Sequence, residues 1–187
     1  MNGSMDADKP LADSAVLIID VINDFAFPGS DQLLQQMPSV VRAIDALRRL
    51  ADALQRPVIH VNDNFGRWRS NFDQVIDYCR REGAPGAAIT ERLKPRGTDY
   101  FVLKPGQSGF YQTPLPTLLR HLKVSNLVLA GVAGDQCVLT TAIDAHIRDF
   151  GLWVPEDATA SITPKRNRRA LDYIAEVLGA SVSSVER

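Results

Sequence analysis

Short apolar runs alternate with helical patterns along most of the chain, and this alternation predicts the fold. The run AVLIID, Ala15–Asp20, is aliphatic up to its last residue, which is typical of a strand covered on both faces. Further strands are predicted at Pro57–Asn62, Tyr100–Lys104, Asn126–Gly131 and Leu152–Glu156, with ASVSSV (180–185) as a candidate sixth strand at a sheet edge.

Between these runs, apolar residues recur at helical spacing. In the segment 38–55, the residues Val40, Ile44 and Leu47 lie on one side of a predicted amphipathic helix. Other helices are predicted near Phe72–Arg81, Leu115–Leu122, Cys137–Phe150 and Lys165–Leu178, the last beginning after Thr163 and Pro164. Strands that alternate with helices predict an α/β fold, a mostly parallel sheet with helices on both faces.

Composition narrows the class of protein. The 187 residues carry a formal charge of −1, so no basic surface is expected for nucleic acid. Two cysteines are too few for a disulfide framework and favour a cytoplasmic setting, and no apolar run approaches the roughly 18 residues of a membrane span. We expect a flexible leader over residues 1–13 and a single domain over 14–187.

Three chemically active residues follow strands of the predicted sheet. Asp20 ends the first strand, Lys104 ends the third, and Cys137 follows the fourth across the turn GVAGDQC. Ligands of open parallel sheets bind beyond the carboxyl ends of the strands, so these side chains are expected at one rim. Each has a simpler interpretation alone: a turn cap, a solvated lysine, a small buried hydrophobe.

Together, the three supply the parts of covalent catalysis. Cys137 is the candidate nucleophile, its thiolate stabilised by the positive end of the following helix. Asp20 is the candidate base, and Lys104 the charge that holds it ionised. The small residues Gly131, Ala133 and Gly134 either make a tight turn or let backbone N–H groups approach an oxyanion.

The segment Asp63–Asp99 is too long for a plain connection, which suggests a functional loop or lid. Predicted substrate contacts from this segment and its surroundings are Phe25, Asn62, Phe65, Arg67, Trp68 and Phe110. Aromatic residues with arginines suit a small, flat or carboxylate-bearing amide. The alternative is that Arg67 and Arg69 are surface charges and that Trp68 packs the loop down.

The chain resembles the isochorismatase-like cysteine hydrolases, which include nicotinamidases and N-carbamoyl amidases. The similar motifs are LIIDVINDF, LKPGQSGF and LAGVAGDQCVLTTAIDA, in the same order and spacing. Ile22 and Gly134 depart from the family pattern, which has Gln and Thr at these positions.

The resemblance implies a three-layer fold with a Rossmann-like six-stranded sheet, assembled as a dimer or larger homo-oligomer. It also implies an Asp20, Lys104 and Cys137 triad, a cis Val132–Ala133 peptide, and an oxyanion hole from the N–H groups of Ala133 and Cys137. The substrate would be a small amide, carbamoyl amine or ester, cleaved through a thioester.

No metal and no cofactor are expected. The nicotinamidases of this family carry an Asp-x-His and a further histidine after the second strand, whereas HVNDNFGRWRS contains no histidine after His60. His60 lies inside a predicted strand and is expected to be a core residue.

Two other functions remain open, and a third class is disfavoured. A member of this family could hydrolyse a vinyl ether, as isochorismatases do, or bind a small ligand or partner without catalysis. A dinucleotide-binding protein is disfavoured because no G-x-G-x-x-G follows the first strand and no G-K-[ST] occurs anywhere.

Overall fold

A computed structural model describes residues 13–185 of the chain. The strands are β1 (Ser14–Ile19), β2 (Val58–Asp63), β3 (Tyr100–Lys104), β4 (Asn126–Val132), β5 (Gly151–Trp153) and β6 (Thr159–Ala160). The helices are α1 (Ser30–Leu34), α2 (Met37–Ala53), α3 (Phe72–Cys79), α4 (Ala87–Leu93), α5 (Leu115–His121), α6 (Leu139–Ile147) and α7 (Pro164–Glu176). The predicted leader, residues 1–13, lies outside the described residues except for Asp13.

The six strands form one sheet in the order β3-β2-β1-β4-β5, and all paired neighbours are parallel. Strand β6 pairs with β4 at Gly131 and Val132, beyond the three residues that β5 pairs. The central strand β1 aligns Ile19 with Val61 of β2 and with Gly131 of β4. The predicted α/β fold with a six-stranded parallel sheet is confirmed, and the carboxyl ends of β1, β2 and β4 lie level with one another.

Both faces of β1 are buried, as its continuous aliphatic run predicts. Val16 and Ile18 belong to a core cluster with Ile44 of α2 on one face. Leu17 belongs to a second cluster that includes Ala142 of α6 on the other face. Because both of its faces are buried, β1 is the rigid centre of the sheet and holds the rim at the carboxyl ends of the strands in place.

The sixth strand lies at Thr159–Ala160 and not at 180–185. In the expected segment, only Ser181 forms an isolated parallel bridge with Trp153. Beyond this bridge, the Val182 carbonyl accepts the Glu156 N–H at 3.2 Å, and the Ser183 carbonyl accepts the Trp153 Nε1–H at 2.8 Å. Three serines in this run provide little apolar surface, so no continuous ladder forms.

The segment between β2 and β3 is more regular than expected, because it contains both α3 and α4. The expected α3 begins at a capping box in which Asn71 and Gln74 satisfy each other's backbone N–H groups. The Arg81 guanidinium binds the Asp24 carboxylate at 2.9 Å, which ties the end of α3 to the loop after β1. Among the described residues, no helix is both long and apolar enough to cross a bilayer.

Candidate active site

The three side chains that follow β1, β3 and β4 meet at one point on the rim. The Lys104 Nζ lies 2.8 Å from the Asp20 Oδ2 and 3.4 Å from the Cys137 Sγ. Because β3 and β4 are separated in the sheet by β2 and β1, the loops above the strands complete this arrangement. The structure therefore brings together the acid, the amine and the thiol that the sequence singled out.

Lys104 is fully buried, at 0% exposure, and its ammonium is surrounded by acceptors. Besides Asp20, it donates to the Gly106 carbonyl at 2.9 Å and lies 3.8 Å from the Asp63 Oδ2. Burial lowers the pKa of this lysine, but Asp20, together with Cys137 and Asp63, outweighs burial and holds the pKa of Lys104 above its ordinary 10.5. The side chain is therefore charged at neutral pH.

Asp20 is held by two groups of the rim. Its Oδ2 binds Lys104, and its Oδ1 accepts the Asp63 N–H at 2.6 Å. Burial nevertheless raises the pKa of the carboxyl above its usual 3.8, in spite of the opposing effect of Lys104 and of a hydrogen bond with Cys137. The carboxylate is thus a stronger base than an ordinary aspartate.

Cys137 lies in a π-helical turn, Gly134–Val138, which precedes α6. Burial, and then the neighbouring Asp20 carboxylate, raise the pKa of the thiol to about 12, although Lys104 acts in the opposite direction. The stabilisation of the thiolate by the helix end, expected from the sequence, is outweighed at rest by desolvation and the nearby anion. Attack by this sulfur requires a proton acceptor, and the adjacent carboxylate is placed to serve.

The turn before Cys137 contains a cis peptide bond between Val132 and Ala133, which confirms the prediction from the resemblance. The Ala133 carbonyl accepts the N–H groups of Gln136 and Val138 at 3.0 and 3.2 Å, so the turn folds back on itself. The residues on either side of the thiol therefore lie at the same rim of the sheet.

Gly134 packs closely against α7. A Cβ at Gly134 would lie 1.9 Å from the Asn167 Oδ1 of α7. That amide oxygen also accepts the Ser161 hydroxyl at 3.1 Å, and the Ser161 Oγ accepts the Asp135 N–H at 3.0 Å. Sequence reasoning missed Asn167 and Ser161, because neither lies in a recognisable motif.

Three of the predicted substrate contacts are interior residues. Phe25 and Phe110 are almost entirely buried, each in one of the two core clusters. The Asn62 side chain is equally buried and pairs with the Ile22 backbone, donating to its carbonyl at 2.9 Å and accepting its N–H at 3.2 Å. These three buried side chains therefore pack in the interior and support the loops around the site.

The other three predicted contacts lie on the segment after β2. The Arg67 guanidinium stacks on the Tyr78 ring at 3.6 Å, and the Phe65 ring lies 6.2 Å from the same ring. Trp68 is 77% exposed. Together with Arg69 and neighbouring residues, Arg67 and Trp68 line a surface pocket of about 710 Å³. The Tyr78 ring contacts both Arg67 and Phe65, and no pattern in the sequence predicted this role.

Strand β2 and the residues that follow it do not fit a metal site. The Asp63 Oδ1 accepts the Phe65 N–H at 2.6 Å, and its Oδ2 faces Lys104 at 3.8 Å. His60 is in the core, 3.4 Å from Asp99. Within residues 13–185, no three histidines, cysteines, aspartates or glutamates cluster as metal ligands would.

The chain is similar in sequence and in structure to known proteins. The family model described as the isochorismatase domain matches residues 14–187. An uncharacterized isochorismatase family protein, YaaI of Bacillus subtilis, is 35% identical over 94% of this chain and 96% of its own length. The ureidoacrylate amidohydrolase RutB of Azorhizobium caulinodans is 35% identical over 92% of this chain and 87% of its own. The crystal structure of N-carbamoylsarcosine amidase from Thermoplasma acidophilum superimposes with a TM-score of 0.64 at 29% identity, covering 93% of this chain and 97% of that one.

Proposed function

Since the chain belongs to the isochorismatase family of hydrolases, we propose that it cleaves a small amide or carbamoyl amine, or an ester, through a thioester on Cys137. The observation that carries this proposal is the single Lys104 ammonium within 2.8 Å of Asp20 and 3.4 Å of Cys137. Nucleophile, base and orienting charge are the components that such chemistry requires.

The first half of the proposed cycle forms the thioester. Asp20, which is hydrogen-bonded to Cys137, accepts the thiol proton as the sulfur attacks the substrate carbonyl carbon. The resulting oxyanion is stabilised by the N–H groups of Ala133 and Cys137. Asp20 then returns the proton to the departing nitrogen as the C–N bond breaks, leaving the acyl group on sulfur.

The second half releases the product. Asp20 accepts a proton from water, whose oxygen attacks the thioester carbonyl, and the C–S bond breaks with return of that proton to Cys137. Lys104 stays protonated throughout and keeps Asp20 ionised between proton transfers. Each oxyanion donor would contribute a factor of roughly 10² to 10³ to turnover.

The relatives support an amide-type substrate. One is named a ureidoacrylate amidohydrolase and another an N-carbamoylsarcosine amidase, and both substrate classes carry a carbamoyl C–N bond. No step uses a metal, because Phe65 stands where the Asp-x-His of a nicotinamidase-type site has its histidine, two residues after Asp63. Assembly as a homo-oligomer and a cytoplasmic setting, where the thiol stays reduced, complete the proposal.

A hydrolysis screen of small amides, carbamoyl amines and esters tests the proposed function. Wild-type enzyme should turn over at least one class, and Cys137→Ala and Asp20→Asn should each lower kcat by about a hundredfold or more. Thr140→Val, beside the site on α6, is the matched control and should retain activity. Full activity in Cys137→Ala would instead indicate thiol-independent chemistry, such as vinyl-ether hydrolysis.

Alkylation separates a catalytic thiol from a merely structural one when no substrate is yet known. The pKa of both thiols is raised to about 12, so access and the neighbouring base decide their reactivity. Iodoacetamide should modify Cys137 at neutral pH, because Asp20 can accept its proton, and spare Cys79, which is fully buried. Asp20→Asn should slow the reaction at Cys137, because the base is lost. Equal labelling of both cysteines would favour a non-catalytic binding protein.

A further inference from the structure

Two side chains of α6 bind the segment that follows Lys104. The Thr141 hydroxyl accepts the Gly109 N–H at 3.0 Å, and the Asp144 carboxylate accepts the Ser108 hydroxyl. Thr141 and Asp144 are three residues apart and therefore share one side of the helix. We refer to Ser108, Gly109, Thr141 and Asp144 as the clasp.

Thr141 also reaches the residue that carries the thiol. Its hydroxyl donates to the Cys137 carbonyl at 2.6 Å while it accepts the Gly109 N–H. The side chain is fully buried, so water does not compete for either bond. One oxygen atom thus links the backbone of the Lys104 loop to the backbone of the Cys137 turn.

Close approach of the two segments depends on Gly109. A Cβ at this position would lie 2.9 Å from the Val61 Cγ1 of β2 and 3.5 Å from the Thr141 Cγ2. The loop therefore lies directly against β2 and α6 at the residue that Thr141 holds. This contact explains why glycine stands in the motif LKPGQSGF at the site of the clasp.

The position of this loop bears directly on Lys104. The loop folds back so that the Gly106 carbonyl accepts the Lys104 Nζ at 2.9 Å, on the same ammonium that lies 3.4 Å from the Cys137 Sγ. Strands β3 and β4 are not neighbours in the sheet, so strand pairing does not fix the loop relative to the turn. The clasp is a direct connection between them.

We propose that Thr141 is a positioning residue that holds the Lys104 loop against the Cys137 turn, with the bond between Ser108 and Asp144 as the second half of the same clasp. Without it, the ammonium is no longer held beside the sulfur and Asp20. Proton transfer from the thiol to Asp20 then becomes less favourable. This inference deepens the proposed function, on which it rests for the role of Cys137.

The test compares Thr141→Val, which keeps the shape but loses both hydrogen bonds, with Thr141→Ser, which keeps the hydroxyl. The matched control is Thr140→Val, because within residues 13–185 the Thr140 hydroxyl bonds only to the Gln136 and Cys137 carbonyls of its own helical turn, at 2.7 and 3.3 Å. The readout is the rate of iodoacetamide alkylation of Cys137 from pH 6 to 10, with thermal unfolding as the check on folding.

Thr141→Val should slow alkylation at neutral pH about tenfold, as expected for loss of a buried hydrogen bond. The difference from wild type should narrow as the pH rises towards 10, because the fraction of the thiol that ionises without the base grows with pH, even though its pKa is raised to about 12. Thr141→Ser should restore the neutral-pH rate, and Thr140→Val should match wild type. A purely structural role would lower the melting temperature and leave the shape of this pH profile unchanged.

A wild-type profile in folded Thr141→Val, an equal loss in Thr140→Val, or no recovery in Thr141→Ser would each overturn the inference. If Thr141→Val does not fold, Ser108→Ala carries the test: slower alkylation at neutral pH supports the clasp, and an unchanged rate overturns it. Alkylation that follows this pattern in a protein without hydrolytic activity would contradict the proposed function alone. Cys137-dependent hydrolysis that is normal in Thr141→Val would contradict the clasp alone.

Discussion

Asp20 is the residue on which the proposed chemistry turns, since it must accept a proton that a buried thiol holds tightly. Burial raises the pKa of both groups, so the carboxylate and the thiol compete for one proton beside Lys104. Lys104 lies 2.8 Å from the carboxylate and 3.4 Å from the sulfur, so it favours the negative charge on the carboxylate over that on the thiol. The site is therefore poised for proton transfer during attack, and holds no stable resting thiolate.

The pH dependence of turnover should reveal this raised pKa. Only ionised Asp20 acts as the base, so kcat/KM should fall on acidification, and the midpoint should lie above 3.8, the ordinary value for aspartate. The measurement is the pH profile of hydrolysis, or of Cys137 alkylation, between pH 4 and 8. A rate that stays constant down to pH 4 would contradict the proposed environment of Asp20.

Replacing Lys104 by methionine should lower the stability of the protein and shift the acid limb of the pH profile, the range in which turnover falls on acidification. The change leaves the buried Asp20 without its partner, which should cost about 3–5 kcal/mol of unfolding free energy. It should also raise the pKa of Asp20 further and move the acid limb to higher pH. Denaturant unfolding and the pH profile measure the two effects, with exposed Lys165→Met as the control. An unchanged acid limb in a folded Lys104→Met protein would argue against the ion pair.

The proximity of Asp20, Lys104 and Cys137 could be predicted at residue level because strand ends in a parallel sheet share one rim. The substrate contacts could not, since sequence does not show which side of a loop faces the cleft. Phe25 and Phe110 follow the strand ends but turn inward to the core. Trp68 turns outward, although it has the same aromatic character. Charge and aromaticity alone do not distinguish these outcomes.

At the level of elements, the contact between the π-helical turn and α7 sets the shape of the turn that carries the thiol. Gly134→Ala should destabilise the protein by about 1–3 kcal/mol, because the new methyl group would meet the Asn167 amide oxygen. Chemical denaturation of Gly134→Ala, with Gly97→Ala as the control, measures the cost. A Cβ at Gly97 meets nothing within 4 Å.

A double-mutant cycle identifies the cause of that cost. Asn167→Ala removes hydrogen bonds to Ser161 and Thr159, so it should be destabilising by itself. It also makes room for a methyl group at Gly134, so the double variant should lose clearly less than the sum of the two single changes. Strict additivity would mean that Asn167 is not the group that requires glycine here.

Elements with a long periodic pattern were predictable, and short ones were not. The predicted helix near Lys165–Leu178 is present as α7, and the Thr163 hydroxyl accepts the Arg166 N–H at its start. By contrast, α1 has five residues and β6 has two, too few for either period to be visible. The π-helical turn was missed for a similar reason: its five residues continue the pattern of α6, although their hydrogen bonding differs.

At the scale of the whole molecule, the amino ends of the strands carry a second buried cluster of charges. Asp99, just before β3, binds the Arg48 guanidinium of α2 at 3.0 Å and lies 3.4 Å from the His60 Nε2 of β2. Although burial opposes it, contacts with His60 and Arg96 and the Arg48 bond hold the pKa of Asp99 well below its usual 3.8. The proposed catalytic groups thus lie at one rim of the sheet, and this cluster joins helix and strands at the other.

His60 makes that cluster sensitive to pH. Burial lowers the pKa of its imidazole below 6.5, with a smaller contribution from Arg48 and against the pull of Asp99. The folded protein therefore keeps His60 neutral where the unfolded chain already binds a proton. It follows that the unfolding free energy falls as the pH drops below about 6.5, by at most about 1.4 kcal/mol per pH unit from this residue.

Replacing His60 by a residue that does not titrate should abolish its contribution to the pH dependence of the unfolding free energy. The unfolding free energy of wild type, measured by urea denaturation, should decline more steeply between pH 7.5 and 5.5 than that of His60→Gln, because glutamine does not titrate. His121→Gln replaces an exposed histidine and should leave the wild-type slope unchanged. Asp20 contributes with the opposite sign: its raised pKa means that the folded state gains a proton first on acidification, which stabilises it. The comparison between variants cancels that contribution, so parallel slopes for wild type and His60→Gln would show that His60 is not held neutral in the core.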